Sequence, residues 1–143
     1  MSAIIQPIPQ TNDVSLVRLY VLRALYLFIV VGLGTQIWPD ILNPGRRWDL
    51  LEGIVSCVLA AFWFLCLLGL RYPLKMLPVL FWELIWKTLW LGIVALPQWL
   101  AGHIDESIVP NLYACSLVVL VYIAMPWTYV YARYLKAPGD RWR

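Results

Sequence analysis

The chain alternates long apolar runs with short polar stretches. The apolar runs are residues 16–38, 50–70, 74–96 and 110–131. A hydrocarbon core of about 30 Å requires roughly 20 helical residues, so each run is long enough to cross a bilayer. Pro39-Asp40 followed by Asn43-Pro44-Gly45 predicts a turn directly after the first run. Pro97 predicts the end of the third run, and Pro126 predicts a kink in the fourth. The pattern predicts an all-α polytopic membrane protein, a four-transmembrane-helix bundle that forms a single domain over residues 1–143.

Composition strengthens this prediction. The 143 residues are 62% hydrophobic and only 13% charged, whereas a soluble domain has about 25% charged residues. The lipid bilayer is therefore the expected surrounding of the chain. The net charge of +3 comes from basic residues beside the apolar runs, so it reflects membrane topology and predicts no nucleic-acid partner.

The basic residues also predict an orientation. One end of the predicted bundle carries Arg18, Arg23, Arg71, Lys75, Arg133, Lys136, Arg141 and Arg143. The opposite end carries only Arg46 and Arg47. Because Lys and Arg remain on the cytoplasmic side of a membrane, we predict that both termini are cytoplasmic.

Charged residues within the third run are the main candidates for function. Glu83 and Lys87 are four positions apart, so they lie one turn apart on one helix face and can form an ion pair. An ionisable group in hydrocarbon costs about 2.5 to 3.5 kcal/mol on insertion scales unless it is paired or reaches water. Arg23 of the first run lies in the same half of the membrane as Glu83, so an Arg23–Glu83 bridge between the two helices is within reach. We therefore predict a polar intramembrane network of Arg23, Glu83 and Lys87.

This network has two interpretations. In the structural one, which we favour, the charges neutralise one another and fix the register of the helices. In the functional one, they form a polar pathway or a docking surface for a partner helix.

Tryptophans repeat every fourth residue beside these charges, at Trp82, Trp86 and Trp90. Their indoles are predicted to cover the charged face, and Lys87 is within reach of Trp90 for a cation–π contact. A stripe of large aromatic residues is usually a packing surface, and we interpret this one in the same way.

A second polar group is predicted at the other end of the bundle. It comprises Asp49, Glu52, His103, Asp105 and Glu106. The spacing His-x-Asp-Glu offers metal-type ligands, but a single histidine between acidic residues is more typical of a solvated turn, so we predict no metal site. The sequence contains no phosphate-binding loop, no Cys-x-x-Cys pair and no second histidine, which disfavours catalysis and predicts no cofactor.

Two segments carry a resemblance to known proteins. Residues 22–39, LRALYLFIVVGLGTQIWP, resemble the first helix of DoxX-like four-helix bacterial membrane proteins: a basic start, an apolar run, a glycine pair and a closing proline. Gln36 stands where those proteins often have a basic residue. Residues 67–90 are similar to small uncharacterised bacterial inner-membrane proteins. The resemblance implies a bacterial inner membrane and leaves the activity open.

Three functions remain open. The leading hypothesis is a non-enzymatic membrane subunit or accessory protein that contacts a membrane-protein partner or a second copy through helix faces. The alternative is a small oligomeric transporter in which Glu83 exchanges protons. A membrane redox component is the third, and it depends on the DoxX-like resemblance and the tryptophan stripe.

Overall fold

The structure is a computed structural model that describes residues 14–142; Arg143 of the basic tail lies outside this range. All regular elements among the described residues are helical. Four helical stretches are long and apolar enough to span a membrane, and they are Leu16–Ile41, Leu50–Arg71, Leu77–Leu100 and Glu106–Ala124. The all-α class and the four apolar helices predicted from the sequence are confirmed.

The first span is one helix, α1 (Leu16–Ile41), which begins where the Ser15 hydroxyl accepts a hydrogen bond from the Arg18 N–H. The turn predicted after this span is present at residues 42–45, but it begins later than predicted, because the helix includes Pro39 and Asp40. A proline removes a single N–H donor, and this one lies in the last turn. The helix ends at Ile41, and the N–H of the next residue, Leu42, still donates to the Trp38 carbonyl at 3.0 Å.

The second span, α2 (Leu50–Arg71), packs along α1. The two helices approach closely at Gly69, where a Cβ atom would overlap the ring of the fully buried Tyr26. The Tyr26 hydroxyl donates to the carbonyl of Pro73, just beyond the end of α2, at 3.2 Å. Gly69 therefore lets the two helices meet around one large aromatic ring.

The third span changes its helical winding near its end. It consists of α3 (Leu77–Trp90), a π-helical turn (Leu91–Ala95) and α4 (Leu96–Leu100). Pro97 was predicted to end the span, but the helix continues past it to Leu100. The π turn puts Pro97 in the first turn of α4. A proline is tolerated there, because an N–H at that position would have no helical partner.

The fourth span is interrupted. After one 3-10 turn (Glu106–Ile108) come α5 (Val109–Ser116) and α6 (Val118–Ala124), separated at Leu117. Met125 and Pro126 then leave the helical conformation before α7 (Trp127–Val130) and a final π turn (Tyr131–Lys136). The kink predicted at Pro126 is thus a complete break, whereas the interruption at Leu117 was not predicted.

The four spans close into a ring. The first span packs on α2 and α6, and the third packs on α2, α5 and α6. Six of the seven large side chains that are fully buried among the described residues lie toward the end of the bundle where α1 begins and α6 ends: Leu22, Tyr26, Cys66, Leu77, Leu80 and Met125. The seventh, Cys115, lies in α5. Most other apolar side chains on the spans face outward, as a lipid surrounding requires.

Candidate functional site

A buried ion pair lies at the centre of the candidate site. Glu83 is only 5% exposed, and its Oε1 is 2.5 Å from the Nζ of Lys87. Its other oxygen, Oε2, accepts a hydrogen bond of 3.0 Å from the indole Nε1 of Trp86. Both carboxylate oxygens therefore have partners from the same helix, which offsets the cost of holding the charge in an apolar surrounding.

Lys87 also joins the third span to the fourth. Its Nζ donates to the backbone carbonyl of Ala114 at 3.1 Å. Ala114 lies in the last turn of α5, which ends at Ser116, and carbonyls in a last turn lack partners within their own helix. The break at Leu117 therefore exposes a carbonyl, and a cation at a helix C-terminus is favourable.

Arg23 does not join this pair. The predicted Arg23–Glu83 bridge is absent from the salt bridges of residues 14–142. The Nε of Arg23 donates instead to the carbonyl of Leu70, at the end of α2, at 3.1 Å. That carbonyl has no helical partner of its own, so it competes for the guanidinium, whereas Glu83 is already satisfied by Lys87 and Trp86.

The tryptophan stripe covers the charges only in part. Trp86 binds Glu83 directly, and Lys87 lies 5.7 Å from the centroid of the Trp86 ring. The expected cation–π partner, Trp90, is replaced by Trp86 among the cation–π pairs of the described residues. Trp82 packs on Phe62 of α2 with ring centroids 5.0 Å apart. One indole is thus part of the polar site, and another belongs to helix packing.

The ion pair borders a cavity of about 190 Å³ between the spans. Along α1 the cavity extends from Leu25 to Gln36, a distance of roughly 16 Å. Its wall is mostly apolar, with the polar exceptions Gln36, Glu83, Lys87 and Asn111. The cavity is partly open to the surface of the bundle.

Sequence reasoning missed two of these polar residues as site residues. Gln36 and Asn111 each place an amide in an otherwise apolar stretch, and a single polar residue within a predicted span is the signal that could have found them. Their convergence on one cavity could not be found in the same way, because it depends on how α1 and α5 are arranged.

The outer polar residues form two separate groups. In the first, Arg46 binds Glu52 at 2.8 Å and Asp40 at 2.6 Å, and it lies over the Trp48 ring at 4.6 Å. Asp49 precedes α2, but its side chain makes no capping hydrogen bond. No group of three His, Cys, Asp or Glu side chains within residues 14–142 has the geometry to hold a metal.

The second group lies in the loop before the fourth span. The Asp105 carboxylate accepts the backbone N–H of Ser107 at 2.8 Å, and the Asp105 N–H donates to the Gln98 side chain at 3.0 Å. The bond from Ser107 and the nearby His103 hold the pKa of Asp105 below its usual value. Glu106 begins the 3-10 turn that follows. This arrangement is typical of a capped helix start.

These features define a class: an all-helical protein with four helices of membrane-spanning length, a buried ion pair and a cavity beside it. No protein-family model, curated protein or solved structure matches the chain. The similarity of residues 22–39 to DoxX-like proteins stays a resemblance.

Proposed function

We propose that this chain is a non-enzymatic integral membrane subunit or accessory protein that acts through helix–helix contacts. The observation that supports it is the three-way contact of Lys87 with Glu83 on its own helix and with the Ala114 carbonyl on the fourth span. This contact fixes the register of the third and fourth spans, and the two charges neutralise each other inside the bundle. Glu83 and Lys87 act here as a register element, which is the structural interpretation of the pair.

The proposed partner is another membrane protein or a second copy of this chain. Because the ion pair faces the interior, the contacts would use the outward apolar faces of the spans. α2 offers such a face with Leu51, Ile54, Val55 and Val58, all more than 45% exposed. The connections between spans are short, so the helix faces are the largest surfaces available for recognition.

We also propose an orientation and a location. Both termini are cytoplasmic, and the membrane is a bacterial inner membrane. The basic residues at the end of the bundle with the two termini support the orientation, because such residues resist translocation. The DoxX-like resemblance of residues 22–39 supports the location.

Co-purification in a mild detergent tests the function. The parent protein is expected to retain its partner, or to run as an oligomer, whereas Lys87→Leu loses this association because the two spans lose their register. Lys75→Leu removes an exposed lysine outside the pair and serves as the matched control. A Lys87→Leu variant that melts at the parent temperature and keeps the same partner would contradict the proposal.

A small oligomeric transporter is the second candidate, and the cavity favours it. Glu83 lines the cavity together with Lys87 and two amides, so a proton or polar solute entering there would meet a carboxylate. Proteoliposomes under a pH gradient test this function with an internal pH-sensitive dye. Proton flux that Glu83→Gln abolishes, while Glu52→Gln retains it, is the expected result. Equal flux in parent and Glu83→Gln would exclude this function.

A further inference from the structure

We infer that the cavity beside the ion pair is a binding site for a small, neutral, amphipathic molecule with a ring-sized apolar body and a hydrogen-bonding group. This goes beyond the proposed function and does not depend on it. The inference follows from the charge, the size and the unpaired amides of the cavity.

The charges that line the cavity indicate a neutral ligand. Glu83 and Lys87 already balance each other at 2.5 Å, and the carboxylate is further bound by Trp86. No other charged side chain lines the cavity. An ionic ligand would therefore bring an uncompensated charge into a mostly apolar space, where burial of an unpaired charge is very unfavourable.

The volume of the cavity indicates the size of the apolar part of the ligand. The cavity of about 190 Å³ is somewhat larger than the engineered apolar cavity of about 150 Å³ that binds benzene. A six-membered ring with one or two substituents fits this volume. The apolar wall, which includes Phe28, Leu33, Phe62 and Val121, suits such a body.

Two side-chain amides in the cavity wall indicate that the ligand carries a hydrogen-bonding group. Gln36 and Asn111 line the cavity from α1 and α5, and neither side chain forms a hydrogen bond with the protein within residues 14–142. Gln36 is exposed and Asn111 is partly buried, so both amides are free to bind a ligand that carries a hydroxyl or carbonyl group. A mostly apolar wall with a few convergent polar groups is the usual form of a small-molecule site.

Gly32 provides a way to close the site without disturbing the fold. It lines the cavity, and a Cβ at this position would have no atom within 4 Å. A larger side chain there would enter open space. Gly92 in the third span is equally unobstructed but does not line the cavity, which makes Gly92→Leu the matched control for Gly32→Leu.

The test is a titration of the ¹⁵N-labelled full chain in detergent micelles with benzyl alcohol, followed by NMR of the side-chain amides. Gln36→Leu and Asn111→Leu identify the two signals by removing them. Both signals are expected to shift saturably in the parent and in Gly92→Leu, with binding at least about tenfold weaker in Gly32→Leu. Toluene, which lacks the hydroxyl, is expected to bind roughly fivefold more weakly.

Three results would overturn the inference. A shift that never saturates would show that the probe only partitions into detergent. Equal binding by Gly32→Leu and the parent would place the probe elsewhere. Amide signals that do not move at all would mean that the cavity holds water only. Because the titration requires no partner and no flux, its failure is distinguishable from failure of the proposed function.

Discussion

At the scale of single residues, three basic side chains share one role. Each donates to a carbonyl near the end or break of a helix: Arg18 to Ile123 at 2.7 Å, Arg23 to Leu70 at 3.1 Å, and Lys87 to Ala114 at 3.1 Å. Such carbonyls lack partners within their own helices. The cations also face the negative ends of the helix dipoles. Helix interruptions and basic residues therefore stabilise one another in this protein.

Gly69 gives the sharpest prediction at this scale. Gly69→Ala puts a methyl group into the space of the Tyr26 ring, and the ring cannot retreat because its hydroxyl is bound to Pro73. We expect the overlap to cost about 2 to 3 kcal/mol, which exceeds the gain of about 1 kcal/mol from the helix propensity of alanine. Thermal unfolding in detergent measures it. Gly92→Ala, which meets no neighbour, should be as stable as the parent or more stable; equal stability of both variants would contradict this packing.

At the scale of elements, the sequence predicts the helices better than their interruptions. Four apolar helices follow from hydropathy alone, and the spacing of Glu83 and Lys87 already indicates an ion pair. The break at Leu117 could not be predicted, because Cys115-Ser116-Leu117-Val118 contains no proline or glycine. The carbonyl of Ala114, which this break leaves without a helical partner, is bound by Lys87 from the third span. The interruption therefore depends on tertiary contacts. The hydrogen-bond partner of Arg23, the Leu70 carbonyl, could not be predicted for the same reason.

The contact between α3 and α5 makes the second prediction. In Lys87→Met the Ala114 carbonyl loses its donor, so the helix ends around Leu117 should open more often. Hydrogen–deuterium exchange in detergent should show faster exchange of residues 114–118 and unchanged exchange in the middle of α2. Lys75→Met is the control. Uniform acceleration in all four spans would point to general destabilisation, and unchanged exchange would mean that Lys87 does not stabilise this end.

At the scale of the whole molecule, the bundle is tightly packed at one end and open toward the other. Most of the fully buried residues gather where the chain enters α1 and leaves α6, while the cavity extends from Leu25 toward the opposite end. The hydropathy of a span is an average over its residues, so it does not show this asymmetry. At the packed end, Tyr26 and Gly69 bring α1 and α2 together.

The orientation prediction also belongs to the whole molecule. A reporter that is active only outside the cytoplasm should be active when fused near Gly102 and inactive when fused near Tyr72. The reason is the excess of basic residues at the end of the bundle that includes Tyr72. The reverse pattern of activity would contradict cytoplasmic termini.

The central claim is that Glu83 and Lys87 form one buried unit that holds the bundle in register. A double-mutant cycle on thermal or denaturant unfolding in detergent tests it most directly, with Glu83→Gln, Lys87→Met and both together. Each single variant leaves a buried charge without its partner, which costs roughly 3 to 5 kcal/mol. We predict that the double variant loses clearly less than the sum of the two single losses. Losses that simply add would show that the two residues act independently and would contradict the claim.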